Sequence, residues 1–536
     1  MTAPTPFPDA ALGRFREAVR TSGTAGRLAG PERSAARGHD TLDWPHPAAA
    51  PLVLLLESED EIRAALDLAR REKLSIHPVS SGHNWGYGTA RPASADTRVL
   101  FDLSPMKRIL AFDPDLGVIT VEPGVTQGQL EAYLAGRGAE FMVPTTGAGP
   151  DCSLVGNALE RGYGMTPVAD HFQAVLGLTA VLADGSLYRS PFLGTSPDQT
   201  GPVGYRWGSG PYLDGLFSQN GGAVVTSLTL QLMPRPAAVE MFVFWLKDDA
   251  DLERTIAAMR GLLTRSGLTI GGINLMNAAR VGALAGDAAL KGAPWIGTGV
   301  VYGDTGVVRA GRKVLRRALK PVAARLAFVN SQRLRLAETL ARLPVIGRSL
   351  SPVVAPVRSA YRMLAGHPGE FALALAYGAA PRAMPHSRRD PARDGCGLLW
   401  YAPIVPMEGR AARRYTDMVA RICAAHGFAA PITFSTLSVS AFDSTVPLLF
   451  PRDRENSDRA LACLRALIAE GRRLGFPPYR FHSGLMDEAT AGNDAYWQLA
   501  GRVQSALDPD GLISPGRYRR RPPADAVAPL LQETLA

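Results

Sequence analysis

From Pro51 onward the chain alternates apolar runs of strand length with amphipathic runs of helix length. "PLVLLLES" leads into "SEDEIRAALDLARRE", with Ser58 placed to cap the helix, and then into "LSIHPVSSG". That order predicts a strand, a helix and a second strand. Shorter β-rich runs follow in "TRVLFDL", "RILAFDPDLGVITVEPG" and "VLGLTAVLADGSLYRS", where Asp184-Gly185 marks a hairpin turn. The run "GGAVVTSLTLQLMPRP" closes this region, and Pro234 and Pro236 mark a boundary.

A second strand-helix pattern opens in "EMFVFWLKDDADLERTIAAMRGLLTRSG" and returns in "CGLLWYAPIVPMEGRAARRYTDMVARICAAHG". We therefore expect a first domain over 50–236, an α/β cap over 237–485 and a tail over 486–536 that packs back on the first domain. Within the cap, residues 325–362 interleave Arg325, Arg333, Arg335, Arg342, Arg348, Arg358 and Arg362 with apolar residues, and Pro344, Pro352 and Pro356 are expected to interrupt any long helix. Such a basic stretch reads as a peripheral contact with an anionic membrane or as a solvated surface insertion.

At 536 residues, with 46% hydrophobic and 20% charged residues, the composition is that of a multidomain globular protein. The +9 charge comes largely from scattered arginines, and no nucleic-acid-binding motif accompanies it. Cys152, Cys396, Cys423 and Cys463 lie far apart, which argues against a zinc site or a disulfide framework. No signal peptide or spanning segment is evident, so a cytoplasmic location is expected.

The most unusual turn is "SSGHNWGYG", Ser80 to Gly88, directly after a predicted strand. Successive N–H groups in such a turn form a concave site for anionic oxygens, and Gly82, Gly86 and Gly88 let the backbone approach them. Together with "VEPGVTQGQLEAYL", "VGNALERGYGMTPVADHF", "GSGPYLDGLFSQNGGAVVTSLTLQLMPRP", "YRFHSGLMD" and "LDPDGLISPGRY", the turn resembles flavoproteins of the vanillyl-alcohol oxidase and p-cresol methylhydroxylase type. The resemblance spans roughly 50–520 and weakens across 325–395. It implies an α+β fold, with a two-part FAD-binding domain and an α/β substrate cap.

By that resemblance Ser80, Ser81, Gly82, His83, Asn84 and Trp85 cradle the FAD diphosphate. Glu122, Pro123, Gly124, Gly156, Asn157, Arg161, Gly162, Val224 and Val225 supply further FAD contacts, and Arg517 sits near the flavin. The cap position that holds the flavin covalently in some relatives is Leu398 here, which has no nucleophilic atom. A histidine in the equivalent of this glycine turn carries the flavin in related branches, so His83 is expected either to bond the flavin covalently or to donate a hydrogen bond to the diphosphate. A second, cysteinyl link is not expected, because Val143 stands at its place.

Tyr87, Tyr479 and Arg480 match the group that surrounds a phenolic oxygen in phenol-oxidising relatives. The family's aspartate near the flavin falls at Thr145, with Asp151 close by in a longer loop, and a pair of cap histidines falls on Asp443 and Ser444. Asp443 is a candidate base, and His482 lies close to Arg480 in sequence. Glu160, Asp170, His171 and Asp214 are expected to support the fold or the cofactor. The implied activity is hydride transfer from a para-substituted phenol or related alcohol to FAD, with oxygen or another acceptor taking the electrons, in a homo-oligomer. The same chemistry on a non-phenolic alcohol, amine or natural-product intermediate, and a non-catalytic FAD-binding scaffold, stay open.

Overall fold

In the computed structural model the described residues are 9–44, 51–193, 204–286, 289–343, 347–380 and 383–520, with the side chains of 347–353 left out. The expected element after Ser58 is a helix, Glu59–Arg71, and the Ser58 side chain accepts a hydrogen bond from the Glu61 N–H. Its buried residues are Ile62, Ala65, Leu66 and Ala69, spaced three and four apart on one face. That face packs on a four-stranded sheet ordered Arg27–Leu28, Leu52–Leu55, Val99–Asp102, Ile76–Val79, whose last three strands run parallel. The helix Asp9–Ser22, whose Phe15 and Val19 join the same core, lies before the expected domain start and completes it.

The β-rich runs that follow form a five-stranded antiparallel sheet ordered Ile109–Asp113, Val118–Val121, Ala223–Gln231, Val175–Leu182, Leu187–Arg189. Gly185 turns the hairpin with φ +85°, and the Asp184 carboxylate accepts from the Ser186 N–H at 2.8 Å.

After Gln231 the chain enters the nine-stranded sheet of the cap, with Ala238–Leu246 and Trp295–Gly303 among its longest strands. Both predicted strand-helix repeats are present: Ala238–Leu246 precedes helix Leu252–Arg265, and Cys396–Tyr401 precedes helix Gly409–Ala425. These helices bury Ile256, Met259, Tyr415 and Val419 against Phe242, Phe434 and Phe450 of the sheet.

The basic stretch departs from expectation. Its first residues belong to an edge strand of the cap sheet, Ala323–Val329, and one helix, Gly347–Leu364, runs through Pro352 and Pro356. Each proline removes one backbone hydrogen bond, but the helix end is anchored by Leu364 in a core with Met142 and Tyr302. Pro344 and the side chain of Arg348 lie outside the described residues. Among those residues no helix is long and apolar enough to cross a membrane. Past helix Asp494–Leu507 the chain returns to the first sheet, where the Ile76 N–H donates to Leu512 O (2.8 Å) and the Ser514 N–H to Ile76 O (2.7 Å).

Candidate active site

The glycine turn leaves the end of strand Ile76–Val79, and φ is +73° at Gly82, +76° at Gly86 and +104° at Gly88. A side chain at Gly82 would overlap the Arg37 guanidinium. Arg37 donates to Ser81 O (2.7 Å) and Ser80 O (3.1 Å) and pairs with the buried Asp102 at 2.7 Å. Burial pushes the Asp102 carboxyl up, but Arg37, Arg33 and the Ser104 hydroxyl together hold it down to about 2. With its carbonyls drawn to Arg37, the loop leaves the N–H groups of Gly82, His83, Asn84 and Trp85 without a protein acceptor among the described residues.

These groups border a cleft of about 420 Å³ between the two sheets of the first domain and the cap. Ser80, Ser81, Pro123, Gly156, Asn157, Gly162, Val225 and Arg517 also line it. A side chain at Gly156 would overlap the Ser80 hydroxyl, and His171 Nδ1 fixes Asn157 Oδ1 at 2.5 Å. Four expected contacts fall outside the lining. Glu122 is held by Arg108 at 2.7 Å, Gly124 turns against Ser104 O, and Arg161 donates to Ser218 Oγ at 3.1 Å. Val224 faces the first sheet's core, because alternation along the strand lets Val225 but not its neighbour face the cleft.

His83 stacks on Trp85 with ring centroids 4.6 Å apart, and Trp85 Nε1 donates to Asp390 at 3.0 Å. Burial, offset in part by Asp390, lowers the imidazole pKa and keeps it neutral. Its Nδ1 is buried and has no partner. Leu398 lines the same cleft, tied to Thr41 through both of its backbone groups.

At the cap end the structure brings Tyr87, Tyr479, Arg480 and Asp443 together. The Arg480 guanidinium carbon lies 4.3 Å from the Tyr87 ring centre, and its Nη2 donates to Asn84 Oδ1. Glu160 pairs with Arg517 and stands 3.6 Å from Arg480 Nε, which has no hydrogen-bond partner. Burial raises the pKa of both tyrosines, against the pull of Arg480. Asp443 is 0% exposed, both its oxygens lack partners, and burial pushes its pKa well above the carboxylate range despite Arg480. Burial therefore favours the protonated form of this carboxyl.

Of the remaining expected residues, Asp151 is exposed but lies beside His83, whose pKa it raises. Thr145 Oγ1 donates to Met363 O (3.0 Å), and the buried Ser444 lies outside the lining. His482 Nδ1 accepts from the Gly484 N–H (3.0 Å), Asp170 Oδ1 accepts from the Phe172 N–H (3.0 Å), and Asp214 accepts from Tyr188 and Ser190. Val143 is buried in the first-domain core, while Cys152 lines the cleft with its thiol pKa raised by burial. Sequence reasoning missed Arg37, Asp102 and Arg280. Arg280 lines the cleft beside Trp400, and its Nε and Nη1 are buried without partners.

The unpaired N–H groups and the glycines that admit no side chain fit a dinucleotide whose diphosphate sits on the turn. Residues 50–190 match a family model described as an FAD binding domain. The chain is 33% identical over 544 residues to 1'-carboxy-chondrochloren decarboxylase of Chondromyces crocatus, covering 96% of this chain and 98% of that one. It is 27% identical over 473 residues to the 4-cresol dehydrogenase [hydroxylating] flavoprotein subunit of Pseudomonas putida, covering 85% of each. The fold is similar to that of p-cresol methylhydroxylase with substrate bound, at TM-score 0.80 and 22% identity over 95% of this chain and 96% of that one. The chain is an FAD-dependent enzyme and belongs to the vanillyl-alcohol oxidase and p-cresol methylhydroxylase family of oxidoreductases.

Proposed function

We propose that the enzyme oxidises a para-substituted phenol, removing hydride from the carbon attached para to the hydroxyl. FAD, when bound, supplies the two-electron acceptor. The observation that carries this reading is the convergence of Tyr87, Tyr479 and Arg480 on one end of the cleft, with Arg480 Nε free of hydrogen bonds. The tyrosines, with raised pKa values, remain hydroxyl donors to a phenolate oxygen. Burial favours the protonated Asp443, and Glu160, which stands 3.6 Å from Arg480 Nε, also pairs with Arg517. The phenol therefore binds as its phenolate, its proton released to water, and the negative charge makes the C–H bond of the carbon attached at the para position a better hydride donor. His83, whose buried Nδ1 has no hydrogen-bond partner, is the residue that would hold the flavin covalently.

A second reading is favoured by the decarboxylase relative. If the substrate carries a carboxylate on the carbon next to the oxidised one, loss of hydride is followed by loss of CO2. The bonding pair released becomes the new C=C bond and restores the aromatic ring, and the phenol proton lost at the start is regained at the end.

Anaerobic titration of the yellow protein with 4-ethylphenol and with its methyl ether tests the proposal. The phenol is expected to bleach the flavin absorbance and the ether to leave it. Arg480→Met removes a charge-assisted hydrogen bond of about 1.5–3 kcal/mol, so phenol binding should weaken roughly ten- to a hundredfold with flavin content unchanged. Equal bleaching by phenol and ether, or equal phenol binding in the variant, would overturn it.

A further inference from the structure

We infer that Arg280 is a carboxylate-binding residue of the substrate site, so that the natural substrate carries an acid group as well as the phenol. The inference rests on the phenol reading above for the orientation of the substrate, but on different residues.

Arg280 is the third residue of helix Ala278–Ala285, and its N–H donates to the Asn277 side chain at 3.0 Å. The same Asn277 side chain accepts from the Ile432 N–H (3.0 Å) and donates to Ala430 O (2.7 Å), which ties the helix start to the neighbouring strand of the cap. The guanidinium carbon lies 5.5 Å from the centre of the Trp400 ring, and the Trp400 backbone N–H donates to Gly86 O in the glycine turn. The Arg280 backbone is thus fixed, and its side chain lies against Trp400 and borders the cleft.

Among the described residues no carboxylate pairs with it, and Nε and Nη1 have neither water access nor an acceptor. Burial alone lowers its pKa, to about 10, so it remains a cation at neutral pH. Taking an ion out of water without a counter-ion is unfavourable, and an arriving anion offsets that cost. Arg480 differs in this respect, because Glu160 and Asn84 already stand beside it. A guanidinium presents a planar fork of donors, which matches the two oxygens of a carboxylate. With a single fixed cation at this point, a monoanion is balanced where a phosphate dianion would not be.

The test uses the flavin-loaded enzyme and three probes: 3-(4-hydroxyphenyl)propanoate, 4-propylphenol and 3-(4-methoxyphenyl)propanoate. Binding is read by calorimetry and by the shift of the flavin spectrum. The wild type should bind the hydroxyphenyl acid more tightly than 4-propylphenol, with a preference that falls as salt rises. Arg280→Met should weaken the acid roughly ten- to a hundredfold and leave 4-propylphenol within about twofold. Arg280→Lys should recover part of the loss. Absence of a preference in the wild type, or equal weakening of both phenols in Arg280→Met, overturns the inference and leaves the phenol reading standing. If the methoxy acid binds and depends on Arg280 while phenols neither bind nor bleach the flavin, the carboxylate site stands and the phenol reading fails. Should Arg280→Met not fold, the wild-type preference between acid and alkyl phenol still decides.

Discussion

Asp443 shows how one residue's surroundings set its chemistry. It is fully buried on strand Ala441–Pro451, with no partner for either oxygen. The folded-state pKa is raised, so above the ordinary carboxyl value near 4 the unfolded chain has released the proton that the folded chain still holds. Stability from this residue is fully present below that value and is lost as pH rises toward the folded pKa, by about 1.4 kcal/mol per unit. His77 and His171, buried with pKa values lowered to about 3 and about 4, carry slopes of the opposite sign below pH 6.5. Both histidines are present in wild type and variant, so the difference between the two proteins isolates Asp443. Asp443→Asn should gain thermal stability over wild type as pH is raised above about 4, until the folded-state pKa is reached. Parallel melting temperatures across that range would show that Asp443 is ionised in the fold.

At the scale of elements, the glycine turn was legible in the sequence because its signals are local: a strand, small residues and glycines within nine positions. The Ser58 cap and the strand-helix repeats were legible for the same reason. What holds the turn was not, because Arg37 lies 65 positions from Asp102, in a segment without a motif. Arg280 was equally silent, since an arginine on a short helix acquires meaning only when its partners are found to be missing. Val224 and Val225 were read as a pair from a matched block, whereas the strand's two-residue period allows one of them to face the cleft. Arg37→Ala would leave the buried Asp102 with one cation fewer and the carbonyls of Ser80 and Ser81 without a donor. A loss of about 3–5 kcal/mol in urea unfolding is expected, with a lower ratio of flavin to protein. Arg37→Lys should recover little of it, since one ammonium does not reproduce the fork that spans carboxylate and carbonyls. Unchanged flavin content in both variants would show that the turn holds its shape unaided.

The whole molecule places its cofactor site where no single layer completes it. Cleft residues come from the first sheet's glycine turn, from Val225 of the second sheet, from Leu398 and Asp443 of the cap, and from Ser514 and Arg517 of the returning tail. A flavin in that cleft binds the folded chain and not the unfolded one, and so stabilises all of these layers together; free ligand at a hundred times its Kd adds about 2.7 kcal/mol. A covalent bond from His83 would remove the concentration dependence, because the cofactor could not leave. Wild type should therefore remain yellow after acid precipitation, and its melting temperature should not respond to added FAD. His83→Ala should release its flavin to acid, and once stripped should melt lower than wild type, with a melting temperature that climbs as FAD is added back. The substitution removes a neutral ring stacked on Trp85, so a packing loss alone would lower the melting temperature without making it depend on FAD. That dependence separates the two effects. Release of all flavin from loaded wild type by acid would show that His83 holds the cofactor by contact only.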